Sequence, residues 1–139
     1  MNVKKIMTHS IVTVELDDSL KMVKEIFDSV SFHHLLVLDE GKLFGIVSDR
    51  DLLKAISPNI GQAAETEKDL ATLNKRVHQV LSRKPITVSS QADIYDAIAI
   101  FNENRISCIP VVDENNVPVG ILSWRDILKV IGTKRKKSK

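Results

Sequence analysis

The stretch GIVSDRD, from Gly45 to Asp51, recurs almost letter for letter as GILSWRD, from Gly120 to Asp126. The match extends toward the N-terminus of both copies, where VKKIMTHSIVTV from Val3 lies over VHQVLSRKPITV from Val77. Only two copies occur, whereas a solenoid needs at least about three stacked units. The sequence therefore indicates a tandem duplication, in which two similar halves build one fold.

Each copy predicts the same order of elements: strand, helix, strand, strand, helix. The first strand, IVTV in one copy and PITV in the other, precedes a helix whose apolar residues recur at helical spacing. Two β-rich runs follow, joined by turns at Gly41 and at Asn115–Asn116, and short helices end at Ser57 and at Gly132. The apolar helix positions are Leu20, Val23, Phe27 and Val30 in the first copy, and Ile94, Ala97, Ile98 and Phe101 in the second.

Three strands cannot be covered by two short helices alone. We therefore expect the two copies to pack together about a pseudo-twofold axis and to complete one α/β core. The predicted boundaries are 1–57 for the first repeat, 58–76 for a linker with a helix, 77–132 for the second repeat and 133–139 for a basic, disordered tail.

Two further patterns predict where helices begin. Ser90 and Asp93 form an S-x-x-D pattern that predicts the start of the helix in the second copy. Thr66 and Asp69 predict the start of a linker helix, whose apolar stripe continues into the second copy. That stripe consists of Leu70, Leu73, Val77 and Val80.

The composition is that of a folded, soluble protein, with 43% hydrophobic and 27% charged residues among 139. No apolar run approaches the roughly 20 residues of a membrane span, and the N-terminus lacks the apolar core of a secretory signal, so we expect a cytoplasmic location and no membrane contact. The single cysteine, Cys108, is expected to be a reduced, buried thiol. The net charge of +2 conceals a basic C-terminus, which is either a solvated tail or a surface for nucleic acid.

The repeated phrase has a structural and a functional interpretation. Ser48 is placed to cap a helix, Asp51 lies at the reciprocal capping position, and Asp49 adds negative charge to the first turn. Alternatively, a serine hydroxyl at a helix N-terminus holds a phosphate while the aspartate accepts hydrogen bonds from ribose hydroxyls. Ser123 and Asp126 repeat both possibilities in the second copy.

The setting of the phrase carries a resemblance. The segment from IMTHSIVTV through HHLLVLDEGKLFGIVSDRDLL, and again from VLSRKPITV through ENRISCIPVVDENNVPVGILSWRDIL, resembles the CBS domain, a repeat that occurs in tandem pairs. The resemblance implies a βαββα unit, two clefts between the paired repeats, and frequent assembly into homodimers. It also implies regulatory binding of an adenosine compound such as AMP, ADP, ATP or S-adenosylmethionine, with no cofactor required.

The resemblance also implies a set of site residues. Serine is expected near phosphate, aspartate on the ribose, the first-strand threonine at the border of the cleft, and the residues before the second strand along its wall. We expect Asp51 to share a site with Ser107 and Cys108, and Asp126 to share one with the two histidines. The histidine-bearing site would suit phosphate better, because a protonated imidazole adds charge. The expected nucleotide-binding residues are Thr13, His33, His34, Ser48, Asp51, Thr87, Ser107, Cys108, Ser123 and Asp126.

Three functions remain open. The first is a non-enzymatic sensor of adenine nucleotides that regulates a separate protein. The second is a ligand-free interaction module that acts through its dimer surface, where Trp124, which replaces Asp49 in the second copy, is expected to pack. The third is nucleic-acid binding through the basic tail. An enzyme or a metal site is not indicated, because no catalytic or metal-binding spacing occurs.

Overall fold

The computed structural model describes the backbone of residues 1–137 and the side chains of residues 1–132. The chain divides into two compact units. The central unit is the continuous stretch Val12–Lys84, and the split unit combines Met1–Ile11 with the chain from Pro85 onward. We call residues 1–11 and 77–84 the leading segments of the two sequence repeats. Each leading segment belongs to the unit that is built mainly by the other repeat.

The central unit contains a four-stranded sheet in the order β1-β2-β3-β4. Strand β1 runs parallel to β2, and the remaining neighbours are antiparallel. The helices α1 and α2 follow β1 and β3 in the chain, and α3 lies in the linker. The bounds are β1 Thr13–Glu15, α1 Leu20–Ser29, β2 His34–Asp39, β3 Lys42–Ser48, α2 Asp49–Ala55, α3 Glu67–Ala71 and β4 Ser82–Arg83.

The split unit repeats this plan with a three-stranded sheet in the order β5-β6-β7. Strand β5 is parallel to β6, and β6 is antiparallel to β7. The predicted mixed α/β class and the order of elements in both copies are confirmed. The bounds are β5 Val88–Ser89, α4 Ile94–Glu103, β6 Cys108–Val112, β7 Pro118–Ser123 and α5 Trp124–Lys137.

Turn residues and caps explain most of the element ends. Gly41 and Asn116 adopt positive φ, +80° and +63°, in the hairpin turns where the sequence predicted them. Thr66 and Asp69 form the predicted capping box at α3. Helix α4, however, is capped by Asp93, which forms its box with Asp96, and the prediction that Ser90 caps it is wrong. The Ser90–Asp93 and Asp93–Asp96 patterns overlap in the sequence. Because the chain forms a turn after Ser90, the helix begins after Asp93, and the second pattern forms the cap.

Two helix predictions are corrected. The linker does not form one helix into the second copy, because the backbone is extended at Lys75 between short 3₁₀ turns at Thr72–Asn74 and Val77–Gln79. Helix α5 continues past its predicted end, because Gly132 does not adopt the left-handed conformation of a C-cap. Residues 133–137 of the predicted tail are therefore helical in backbone, and Ser138 and Lys139 lie outside the described residues. Across residues 1–137, no helix is long and apolar enough to cross a membrane.

The extended break in the linker has a structural reason, because this segment pairs with the start of α1. Leu20 N donates to Lys75 O at 2.8 Å, and Val77 N donates to Asp18 O at 2.9 Å. Val77 is fully buried in the core of the central unit.

The split unit contains the same arrangement, made by the first residues of the chain. Ile94 N donates to Met1 O at 2.7 Å, and Val3 N donates to Ala92 O at 3.0 Å. Val3 and Met7 are buried in the core of this unit. The leading segment of each repeat thus completes the hydrophobic core of a unit formed mainly by the other repeat.

The glycine of the repeated phrase allows these leading segments to approach. A Cβ atom at Gly45 would lie 2.6 Å from both Leu81 Cδ1 and the carbonyl oxygen of Ser82. At Gly120 it would lie 2.5 Å from the sulfur of Met7. A side chain at Gly45 would collide with the backbone of the leading segment, whereas one at Gly120 would require the Met7 side chain to move.

This contact predicts unequal effects of alanine substitution. Gly45→Ala should lower the free energy of unfolding by about 1–3 kcal/mol, because the added methyl meets a backbone carbonyl. Gly120→Ala should cost less, because the methionine side chain that it meets can rotate. Urea unfolding measures both values.

Gly132→Ala is the matched control, because nothing lies within 4 Å of a Cβ at this helical glycine. It should raise the unfolding free energy by about 0.5–1 kcal/mol through helix propensity. A loss for Gly45→Ala no greater than that for Gly120→Ala would contradict the close approach at the Ser82 carbonyl.

Candidate functional site

The repeated phrase forms the junction between a strand and a helix in each unit. In the central unit, Asp51 N donates to Ser48 Oγ at 3.0 Å, and Ser48 N donates to Asp51 Oδ2 at 2.9 Å. In the split unit, the bond from Asp126 N to Ser123 Oγ is 3.1 Å, and that from Ser123 N to Asp126 Oδ2 is 2.9 Å. The structural interpretation of the phrase is therefore confirmed in both copies.

The reciprocal cap uses only part of the hydrogen-bonding capacity of each pair. A serine hydroxyl that accepts one bond still carries a proton to donate, and a carboxylate has a second oxygen. Within the described part of the chain, neither serine hydroxyl donates a hydrogen bond, and neither aspartate Oδ1 accepts one. All four side chains are half-buried. Each junction therefore presents one donor and one acceptor that a ligand can use while the cap stays intact.

The strand pairing brings the predicted strand-start residues to these junctions. His34 lies opposite Ser48 in the pairing of β2 with β3, and Cys108 lies opposite Ser123 in the pairing of β6 with β7. The central unit thus groups the two histidines with Ser48 and Asp51. The split unit groups Ser107 and Cys108 with Ser123 and Asp126. The expectation that each aspartate shares a site with strand-start residues of the other repeat stays a prediction.

The two threonines are less directly engaged. Thr13 pairs with Leu36 on β2, and Thr87 immediately precedes β5. Both are half-buried, and neither side chain makes a hydrogen bond among residues 1–132. Their expected place beside a ligand remains a prediction.

One contact at the central junction was not predicted from the sequence. His33 Nδ1 donates to Asp49 Oδ2 at 2.9 Å, and Asp49 N donates to the backbone oxygen of His33 at 3.0 Å. The hydrogen bond from His33 lowers the pKa of Asp49 below its ordinary value of 3.8. The sequence assigned Asp49 only to the charge of the helix start, because the strand register that places Asp49 beside His33 is seen only in the structure.

Burial changes the protonation of two predicted site residues. It lowers the pKa of His34 below 6.5, although the nearby Asp49 and Asp51 carboxylates oppose the shift. The neutral imidazole is therefore favoured at His34, contrary to the hypothesis of a protonated ring there. Burial also raises the pKa of the Cys108 thiol to about 12, which keeps this thiol protonated and a poor nucleophile. The neighbouring Ser107 is exposed.

Two βαββα repeats with the same capped serine–aspartate junction define a duplicated α/β module. A family model, the CBS domain, matches residues 3–58 and again residues 77–133. The chain belongs to the CBS domain family.

Similar curated proteins differ widely in length. A CBS domain-containing protein of Dictyostelium discoideum is 28% identical over 131 residues, which cover 93% of this chain and 90% of that protein. The uncharacterized protein MJ1232 of Methanocaldococcus jannaschii is 30% identical over 122 residues, 88% of this chain and 36% of the relative. The inosine-5'-monophosphate dehydrogenase of the same organism is 28% identical, with 90% of this chain matching 22% of the enzyme. The chain thus spans only a minor part of several of its relatives.

Some of the similar solved structures contain adenosine ligands. The CBS domain pair of protein MJ0100, in complex with 5'-methylthioadenosine and S-adenosyl-L-methionine, is 27% identical with a TM-score of 0.77, covering 96% of this chain and 98% of that one. CBSX2 in complex with AMP is 25% identical with a TM-score of 0.79 and the same coverage of both chains. A CBS domain-containing protein from Bacillus anthracis has a TM-score of 0.80 at 23% identity, which supports the fold alone.

The lowered pKa of His34 predicts a pH dependence of stability. Between the lowered pKa and the unfolded value near 6.5, the unfolded chain binds more protons at this residue, so stability falls as the pH is lowered through that range. His34→Gln should remove this part of the slope, measured by urea unfolding at about pH 7.5 and about pH 5.5. The lowered pKa of Asp49 acts in a separate range, because its stabilisation is lost only below about 3.8.

His9→Gln, at an exposed histidine, is the control and should keep the slope of the wild-type protein. An unchanged slope in His34→Gln would show that burial does not hold this imidazole neutral.

Proposed function

We propose that this chain is a non-enzymatic regulatory module that binds an adenine nucleotide of the AMP, ADP or ATP type. The observation that carries the proposal is the serine–aspartate junction, which keeps one free donor and one free acceptor in both units. The adenosine ligands of the similar CBS pairs support the same ligand class. S-adenosylmethionine is the alternative ligand within that class.

The junction matches the chemistry of a nucleoside phosphate. The Ser48 and Ser123 hydroxyls can donate to a phosphate oxygen, and the free Oδ1 atoms of Asp51 and Asp126 can accept from ribose hydroxyls. Phosphate alone would not need the carboxylate, and a free sugar would gain little from a donor beside it. A ligand that contains both groups uses everything that the cap leaves available.

The proposed regulatory role uses the energetics of such binding. A ligand that binds only the folded form stabilises it by mass action, and differential affinity for two arrangements shifts their populations. The regulated partner would be a separate protein or another part of a longer assembly. The enzymes among the relatives match this chain over only 22–25% of their length, so their reactions are not transferred to it.

Direct catalysis finds no support at the junctions. Cys108 is held as a neutral thiol. In the part of the chain with described side chains, no three His, Cys, Asp or Glu residues lie close enough to hold a metal ion.

Isothermal titration of the ligand-free protein with AMP, ADP, ATP and S-adenosylmethionine tests the proposal. The wild-type protein should bind at least one of them saturably. Asp51→Ala together with Asp126→Ala should abolish binding, because both ribose acceptors are lost, and should also cost about 1 kcal/mol per helix cap.

Asp96→Ala separates these two effects. Asp96 accepts the same reciprocal bond from the N-cap of α4, at 3.1 Å, but lies outside the repeated phrase. It should lose similar stability and keep full nucleotide affinity. Equal affinity in the double aspartate variant and the wild-type protein would refute the assignment of these sites.

A surface feature favours homodimerisation as a second function. Trp124, Leu128 and Ile131 lie at helical spacing along α5 and are 46%, 54% and 50% exposed. A continuous apolar stripe of this kind on a folded protein usually marks an interaction surface. Because a twofold dimer places the same surface on both partners, a stripe without charges is self-complementary, and we propose that a second copy of the chain covers it.

Sedimentation equilibrium tests this second proposal. The wild-type protein should be a dimer at micromolar concentration, and Leu128→Lys should shift it to the monomer by burying a charge in the contact. Tyr95→Lys is the control, since Tyr95 is 73% exposed outside the stripe and should leave the dimer intact. A monomeric wild-type protein would exclude a stable dimer.

The described residues offer no observation in favour of nucleic-acid binding. It rests on Lys134, Arg135, Lys136, Lys137 and Lys139, whose side chains lie outside the described residues.

A further inference from the structure

The two junctions share serine and aspartate but differ at the position between them. Asp49 follows Ser48 in the central unit, and Trp124 follows Ser123 in the split unit. The phrase SDRD therefore carries one net negative charge, whereas SWRD is neutral. The residue immediately before the second strand is His33 in the central unit and Ser107 in the split unit.

In the central unit, Asp49 accepts the hydrogen bond that His33 could otherwise donate to an anionic ligand. Its carboxylate lies 2.9 Å from His33 Nδ1, and its backbone N–H binds the His33 carbonyl oxygen. The Asp49 side chain is 41% exposed, so its charge is only partly screened by solvent. A phosphate at this junction meets a carboxylate and an imidazole that is already paired.

The charge of Asp49 also acts on His34, the next residue after His33. It raises the pKa of His34, as Asp51 does, although burial outweighs both. The groups that face this place are thus two carboxylates from α2 and two imidazoles from the start of β2. The Arg50 side chain on α2 is exposed and makes no ion pair among the described residues.

The split unit lacks the opposing carboxylate. Its Trp124 ring is about half-exposed, and the Arg125 guanidinium lies 6.0 Å from the ring centroid. Asp126 is the single acid of the phrase, and the cap engages one of its oxygens. An added phosphate here is not repelled by a second neighbouring carboxylate.

We infer that Asp49 is a specificity-determining residue that makes the two units take different adenosine compounds. The central unit favours the compound with fewer phosphates, and the split unit favours the more highly phosphorylated one. This inference rests on the proposed function and reverses the expectation that the histidine-bearing junction suits phosphate better.

The test compares AMP with ATP, which share adenosine and differ in two phosphate groups. Titrations use the full chain at low ionic strength without divalent cations. In an Asp126→Ala background, which retains the aspartate of the central unit, Asp49→Asn should lower the ratio of the ATP Kd to the AMP Kd by roughly threefold or more. Glu25→Gln, which removes an exposed acid on α1, should leave the ratio unchanged.

The opposite substitution, which adds a carboxylate, is made in an Asp51→Ala background that retains the aspartate of the split unit. Trp124→Asp should raise the ratio of the ATP Kd to the AMP Kd relative to Trp124→Asn, which loses the same indole without adding a charge. If AMP and ATP both bind and neither exchange moves the ratio, the inference is wrong while the proposed function stands. If the wild-type protein binds neither compound, the proposed function fails and the inference fails with it.

Discussion

The structure depends on a close approach of backbone to backbone in each unit. The leading segment of one repeat lies against the last strand of the other, and the glycine of the repeated phrase leaves room for it. At Gly45 the neighbour is a carbonyl oxygen, which cannot move without breaking the pairing of β3 with β4. The leading segments also supply buried apolar residues, such as Val3 and Val77, to the two cores. The same segments also pair with the chain at the starts of α1 and α4, through Val77 and Met1.

The proposed binding role of the repeated phrase uses the geometry of its helix cap. Its reciprocal cap holds Ser48 and Asp51 in fixed orientations, and a rigid donor and acceptor lose less entropy on binding than mobile ones. In the proposed role, the cap and the ligand use the same two side chains but different atoms of them. The residues that differ between the copies lie next to the pair, where they change charge and shape but leave the cap unaltered.

Local patterns explain what the sequence predicted, and long-range packing explains what it missed. The order of elements, the turns at Gly41 and Asn116 and the cap at Ser48 depend on residues a few positions apart. The placement of each leading segment in the unit of the other repeat depends on long-range packing. Comparison of the chain with itself cannot predict it, because the comparison does not show which unit a segment joins. The contact between His33 and Asp49 could not be predicted either. A register shift between Val37 and Leu38 displaces the pairing of β2 with β3 by one residue from the register obtained by counting back from the turn.

The placement of the leading segments also bears on the order in which the chain is made. Residues 1–11 are synthesised before the central unit, and the strands that they complete follow it, whereas the central unit is one continuous stretch. The split unit can therefore be completed only after the central unit has been synthesised. Because each repeat supplies apolar residues to the core of the other unit, loss of either repeat would leave both hydrophobic cores incomplete.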